Sequence, residues 1–250
     1  MRLESLEARR LLDATVTEGD DATDVVPSGG ATVTEGYPGF YEIHGTTEDD
    51  VIDVVIDMAA ETFTLDGQTY RGVIYVMAYG YEGNDALIIS TTNGPGRIGA
   101  SVFAGEGHDV VMVACDGAVW GGGGNDELYL YDAFRGEAYG EAGNDYMHIS
   151  GLTTDAEIRG GDGHDFIDCS ANFYGVMVFG GLGNDTIFGS QYDDELHGEA
   201  GNDVLEGGSG NDMLYAWGGG ADIINGGDGD DIAYADAQHD SAEAELVYYV

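Results

Sequence analysis

Lysine is absent from this chain, and seven arginines are its only strongly basic side chains. Against them stand 48 acidic residues, for a formal net charge of −41. So acidic a surface repels nucleic acid and anionic membranes, which makes both poor partners. Cysteine is scarce: Cys115 and Cys169 cannot make a disulfide framework. No run of 18 apolar residues occurs, so no membrane-spanning helix is expected. Met1–Ala14 lacks the apolar core of a secretory signal and carries Glu4 and Glu7, which argues against a cleaved leader. The catalytic signatures GxSxG and HExxH are missing, as is any placeable pair of catalytic carboxylates, so no enzyme activity is expected.

High acidity alone would suit a disordered chain. The 43% apolar content and 16 tyrosines argue for a folded one. A compact fold of this charge repels itself unless cations neutralise it.

What the chain does have is a nine-residue repeat, G-G-x-G-N-D-x-φ-x, with φ apolar. Gly180-Gly181-Leu182-Gly183-Asn184-Asp185-Thr186-Ile187-Phe188 is one copy, and Gly207 to Tyr215 is another. The Asp at position six recurs at Asp85, Asp109, Asp126, Asp145, Asp165, Asp185, Asp194, Asp203, Asp212, Asp222 and Asp231, with Asp50 in a degenerate first copy. From Asp185 the steps are 9, 9, 9, 10 and 9; before it they are 24, 17, 19, 20 and 20. The doubling implies that one coil takes two units, each a turn plus a short strand. Toward the C-terminus both halves carry the Gly-Asp turn. Upstream one half is plain, as in Ser90–Gly94, Ser150–Thr154 and Ser170–Phe173.

Position eight is apolar throughout: Leu87, Val111, Leu128, Met147, Ile167, Ile187, Leu196, Leu205, Leu214, Ile224 and Ala233. Strand alternation points this residue inward, so stacked coils build an apolar ladder with steps of about 4.8 Å. Residues 1–36 read as an N-terminal segment, with a short helix over 1–14, and an acidic linker. Residues 37–80 read as degenerate first coils, 81–235 as the regular repeat, and 236–250 as a tail.

Glycines in the turn allow positive φ and close backbone approach, so carbonyls face the gap between coils. The Asp adds a carboxylate. Such hard oxygen donors suit Ca²⁺, and no column of Cys or His suggests zinc. Two carboxylates about 4.8 Å apart repel by roughly 3–4 kcal/mol at an effective dielectric of 20. A file of such pairs would open the coil without a cation, so metal binding and folding are expected to be one event.

The repeat resembles the hemolysin-type calcium-binding repeats of RTX proteins, well over 80–235 and weakly over 45–80. The resemblance implies an all-β, right-handed parallel β-roll with Ca²⁺ between turns, export through a type I system and folding outside the cell. The implied metal ligands are Asp109, Asp126, Asp145, Asp165, Asp185, Asp194, Asp203, Asp212, Asp222 and Asp231. The pairs 185–203, 194–212, 203–222 and 212–231 are expected to make the better sites. The pairs 109–126, 126–145, 145–165 and 165–185 are expected to make weaker ones, because several turns depart from the pattern. Among these departures are Glu141 and Glu199 at position two, Tyr192 at position four and Trp217 at position one.

The expected function is a secreted calcium-binding protein with a structural or interaction role, self-associating or meeting a partner at the cell surface. The alternative is a calcium-dependent carrier module of an extracellular hydrolase or uronate epimerase. The tail's short apolar end is compatible with an uncleaved export signal. His108 and His164 stand where other copies have Asn and are read as turn residues; His44, His148, His197 and His239 are read as surface residues. Trp120 and Trp217 are expected at turn edges. Cys115 and Cys169, three coils apart, are expected to be buried free thiols.

Overall fold

Period-two alternation within short strands and a Gly-rich turn after each strand leave the chain one economical solution: coil upon coil, with every inward residue stacked on its counterpart. The structure, a computed structural model, describes residues 31–93, 98–131, 136–151, 156–236, 241–244 and 246–249. The short helix expected over 1–14 and His239 lie outside these residues. Among the described residues there is no helix. There are two 12-stranded sheets, and successive strands alternate between them along the repeat. The fold is a parallel β-solenoid.

The first sheet takes the strands that lead into the long series of Gly-Asp turns, such as Gly117–Gly123, Gly136–Ala142, Ala156–Asp162 and Val176–Leu182. The second takes the strands that leave those turns, such as Glu127–Tyr131, Tyr146–Ser150, Phe166–Asp168 and Thr186–Phe188. Coil-to-coil pairing is parallel. Antiparallel strands occur only near the N-terminal end among the described residues. Thr32–Glu35 pairs with Phe40–His44, and Thr62–Leu65 and Gln68–Arg71 extend the second sheet beyond Val51–Asp57. Phe63 packs there with Tyr41 and Tyr70, at ring separations of 5.2 and 4.5 Å. This insertion is why Asp50 and Asp85 stand 35 residues apart yet on adjacent coils.

The position-eight ladder forms as expected, split between the sheets. Leu87, Val111, Leu128, Met147, Ile167, Ile187, Leu205 and Ile224 align across the second sheet. Leu196, Leu214 and Ala233 continue a column in the first sheet that begins at Ile43 and passes through Val102, Val119 and Ile158. All are fully buried or within 1% of it. Each large aliphatic in such a ladder contributes roughly 1.5–3 kcal/mol of burial. Cys115 and Cys169 are buried free thiols.

The ordered coil is longer than the repeat suggests at both ends. The strand Thr32–Glu35 begins within the stretch read as linker. Ser241–Glu243 and Leu246–Tyr249, in the stretch read as tail, add one further rung to each sheet. The tail's alternating residues simply meet the edge that the previous coil leaves open.

The outer face of the first sheet holds a second in-register column, six residues before each repeat Asp from Asp50 to Asp185 and before Asp203. His44, Tyr79, Phe103, Trp120 and Tyr139 align in register and stack ring on ring at 4.4–5.5 Å. Arg159 takes the next rung with its guanidinium 4.3 Å from the Phe179 ring centroid. His197, Tyr215, Tyr234 and Tyr248 complete the column at 4.4–5.2 Å. Trp120 therefore sits mid-sheet rather than at a turn edge, and His44 and His197 are stacked members of the column. Trp217 does lie at a turn, tilted against Tyr215 and Tyr234.

Candidate cation-binding turns

The turn between Gly136–Ala142 and Tyr146–Ser150 shows how one unit is built. Gly143 adopts φ 138°, and a Cβ there would collide with the carbonyl of Gly124 in the coil before. Only glycine lets the turns stack this closely. Asp145 then turns inward. Its backbone N–H donates to Asp165 Oδ1 at 2.9 Å, and its own Oδ1 accepts from the Asp126 N–H at 2.8 Å. Its carbonyl accepts from the Phe166 N–H at 2.8 Å. Its Oδ2 is buried and meets no protein donor. A Cβ on Gly140, position one of the unit, would fall against that Oδ2 and the Gly160 carbonyl, so glycine keeps this space clear.

The same bond repeats from coil to coil. Each backbone N–H of Asp50, Asp85, Asp109, Asp126, Asp145, Asp165, Asp185 and Asp203 donates to the Oδ1 of the next, ending on Asp222, at 2.7–2.9 Å. These nine share one edge of the solenoid. Asp194, Asp212 and Asp231 form a second file on the opposite edge, linked in the same way at 2.9 Å. All twelve are only 1–3% exposed.

A parallel ladder runs through position five, with donor and acceptor reversed. The His108 N–H donates to Asn84 Oδ1, the Asn144 N–H to Asn125 Oδ1 and the Asn202 N–H to Asn184 Oδ1, at 2.7–2.9 Å. The Nδ1 atoms of His108 and His164 accept from Asn125 and Asn184 at 2.7 Å. The two histidines thus do an asparagine's work as turn acceptors, with Nδ1 unprotonated.

Burying carboxylates beside one another disfavours their charged form. Burial, with neighbouring aspartates adding to it, pushes Asp85, Asp109, Asp126 and Asp145 up to about 6, and Asp165, Asp203 and Asp212 up to about 7. The inward N–H donor on each pulls the other way but does not prevail. These are groups that an added positive charge would stabilise.

The donor set fits a hard cation. Buried Oδ2 atoms of Asp109, Asp126, Asp145, Asp165, Asp185, Asp203 and Asp212 lack a protein hydrogen-bond donor. Among the described residues no three His, Cys, Asp or Glu side chains converge on one point. A cation between coils would therefore take carboxylate oxygens together with backbone carbonyls, the mixture that Ca²⁺ accepts and zinc does not.

The structure places every expected ligand on one of the two files: Asp109, Asp126, Asp145, Asp165, Asp185, Asp203 and Asp222 on the long one, Asp194, Asp212 and Asp231 on the short one. The ladder does not separate the pairs expected to be strong from those expected to be weak; 126–145 and 185–203 have bonds of 2.8 and 2.9 Å. Glu141 and Glu199 keep positive φ, 76° and 67°, where other copies have glycine, so the turn survives at a cost in backbone strain. Asp85 and Asp50 belong to the long file as well, though neither was among the expected ligands. The Gly83-Asn84-Asp85 triplet was the signal for the first.

These features define a class: a parallel β-solenoid whose turns are lined by stacked, buried carboxylates. Within it, the chain carries the RTX calcium-binding nonapeptide repeat, matched in four copies over residues 119–132, 179–214 and 218–242. A comparison with the curated proteins finds no match.

Proposed function

We propose that this chain is a secreted calcium-binding protein that folds on binding Ca²⁺ and serves a structural or interaction role outside the cell, without catalysis of its own. The observation that carries the reading is the file of buried Asp oxygens with no protein donor, set among clear glycine gaps. Such oxygens cost stability in a cation-free coil. Calcium would supply the compensating positive charge. The residues that would hold it are the stacked aspartates from Asp109 to Asp222 on the long edge and Asp212 and Asp231 on the short one.

Location and folding are tied together in this reading. Weak oxygen sites of extracellular modules fill at about 10⁻⁴–10⁻³ M Ca²⁺, far above cytosolic levels. A chain of charge −41 would stay open inside a cell and close outside it. This agrees with the type I export that the RTX resemblance implies.

Far-UV circular dichroism with Ca²⁺ and with chelator tests the coupling. The β signal should be lost on chelation and return on re-addition. An unchanged spectrum would overturn coupled folding, and titration calorimetry without stoichiometric binding would overturn calcium binding itself.

A further inference from the structure

Two of the twelve turn aspartates differ from the rest, and both stand first in their file. Asp194 opens the short edge. Its Oδ2 accepts from the Ser190 N–H at 2.5 Å, and its Oδ1 accepts from the Ser190 hydroxyl at 2.9 Å and the Val176 N–H at 2.8 Å. Both carboxylate oxygens are already answered by protein donors. Asp50 opens the long edge. Its Oδ2 accepts from the Thr46 N–H at 2.5 Å and the Thr46 hydroxyl at 2.9 Å, but its Oδ1 is buried with no protein donor, so this cap answers one oxygen only. Ser190 and Thr46 both occupy position two of their unit, where Gly208 and Gly227 stand on the short edge and Gly122, Gly161 and Gly181 on the long one. A glycine there has no hydroxyl to give.

Asp85 behaves differently. It lies upstream of every matched repeat segment, and position two of its unit is Tyr81. Yet it is 2% exposed, its Oδ1 accepts from the Asp50 N–H at 2.8 Å, and its N–H donates to Asp109 Oδ1 at 2.7 Å. Its Oδ2 is buried with no protein donor, and position one is Gly80, where a Cβ would run into that oxygen and the Ala104 carbonyl.

We infer that a full hydroxyl cap takes an aspartate out of the cation-binding set: Ser190 answers both oxygens of Asp194, while Asp85, uncapped, forms a further calcium site with Asp109. This rests on the calcium reading proposed above. Asp194, an expected ligand from sequence, becomes an internal cap. The physical logic is one of charge compensation at a file's end. An interior carboxylate has a coil on either side and shares cations with both. Asp194 has an Asp neighbour on one side only, and the N–H and hydroxyl of Ser190 supply the positive ends that a cation would otherwise provide.

The test counts Ca²⁺ bound to the full chain by native mass spectrometry on compact charge states, at saturating and sub-saturating Ca²⁺. Wild type is compared with Asp145→Asn, Asp85→Asn and Asp194→Asn. Asp85→Asn should lower the count as Asp145→Asn does, and Asp194→Asn should leave it unchanged. Gly80→Ala, which crowds the Asp85 carboxylate without removing its charge, should lower the count as well and covers poor folding of Asp85→Asn. If Asp85→Asn and Gly80→Ala both keep the wild-type count, or Asp194→Asn loses as much as Asp145→Asn, the inference fails while the calcium reading stands. Wild type binding no calcium would overturn both.

Discussion

The two edges of this solenoid are made from the same kind of chain and behave differently. One carries an inward Asp on nine successive coils, from Asp50 to Asp222. The other carries three, and upstream of them its turns are plain. The plain turn after Cys169 closes with a local bond, from the Asn172 N–H to the Cys169 carbonyl at 3.0 Å. An Asp file holds register only if each member finds the next, so its units cannot vary in shape. A plain turn has no such partner to find and can lengthen freely. That is why the Asp steps of 17 to 24 residues upstream of Asp185 leave the long edge unbroken.

Partial calcium depletion should split the edges furthest. Hydrogen exchange at sub-saturating Ca²⁺, where the coil still holds, should show the amides of Asp109 to Asp203 losing protection first, with the plain turns of the other edge changing least. Equal loss on both edges would remove the distinction. Gly143→Ala should follow in size, because it forces a Cβ into the Gly124 carbonyl at φ 138°. A loss of about 3 kcal/mol or more is expected in calcium-saturated denaturant melts. The reverse change on a plain turn offers the contrast: Ala171→Gly should cost only a few tenths to about 1 kcal/mol.

pH should act with a sign that depends on calcium. Without it, the folded aspartates titrate at about 6 to 7, above their ordinary value of 3.8. The folded chain then binds more protons than the unfolded one between these limits. Its stability is fully present below about 4 and is lost as pH rises through 6 to 7. In chelator, the β signal in far-UV circular dichroism should therefore grow as pH falls from 7.5 to 5. With calcium bound, acidification should instead lower the melting point, since protons compete for the same oxygens. Identical slopes with and without calcium would contradict the file's role.

Smaller effects sharpen the picture within the long edge. Asn144→Ala removes the acceptor of the His164 N–H, at 2.7 Å on an exposed turn, and should cost about 1 kcal/mol. Glu141→Gly relieves a positive φ of 76° and should stabilise by a similar ~1 kcal/mol in the same melts. A destabilised Glu141→Gly would show that the side chain holds the turn rather than straining it.

Much of this was legible in the chain. The apolar ladder from Leu87 to Ala233 and the Asp file were written as a period, and a period carried through a stack of coils can satisfy itself in one way only. The aromatic column was legible too but passed unread: His44, Tyr79, Phe103, Trp120 and Tyr139 each stand six residues before Asp50, Asp85, Asp109, Asp126 and Asp145, so they share the intervals of the Asp file. They meet because the insertions fall in plain turns and the sheet register absorbs them. The Ser190 cap was hidden, since serine at position two reads as a small departure from glycine until its hydroxyl is seen on Asp194.

The sequence alone determined that the coil would form and where its carboxylates would recur, because spacing in the chain becomes spacing along the stack. Only the tertiary structure decided which edge each Asp joins and which carboxylate oxygens keep a free lone pair. Those depend on the coil above and the coil below, and no single nine-residue unit contains them.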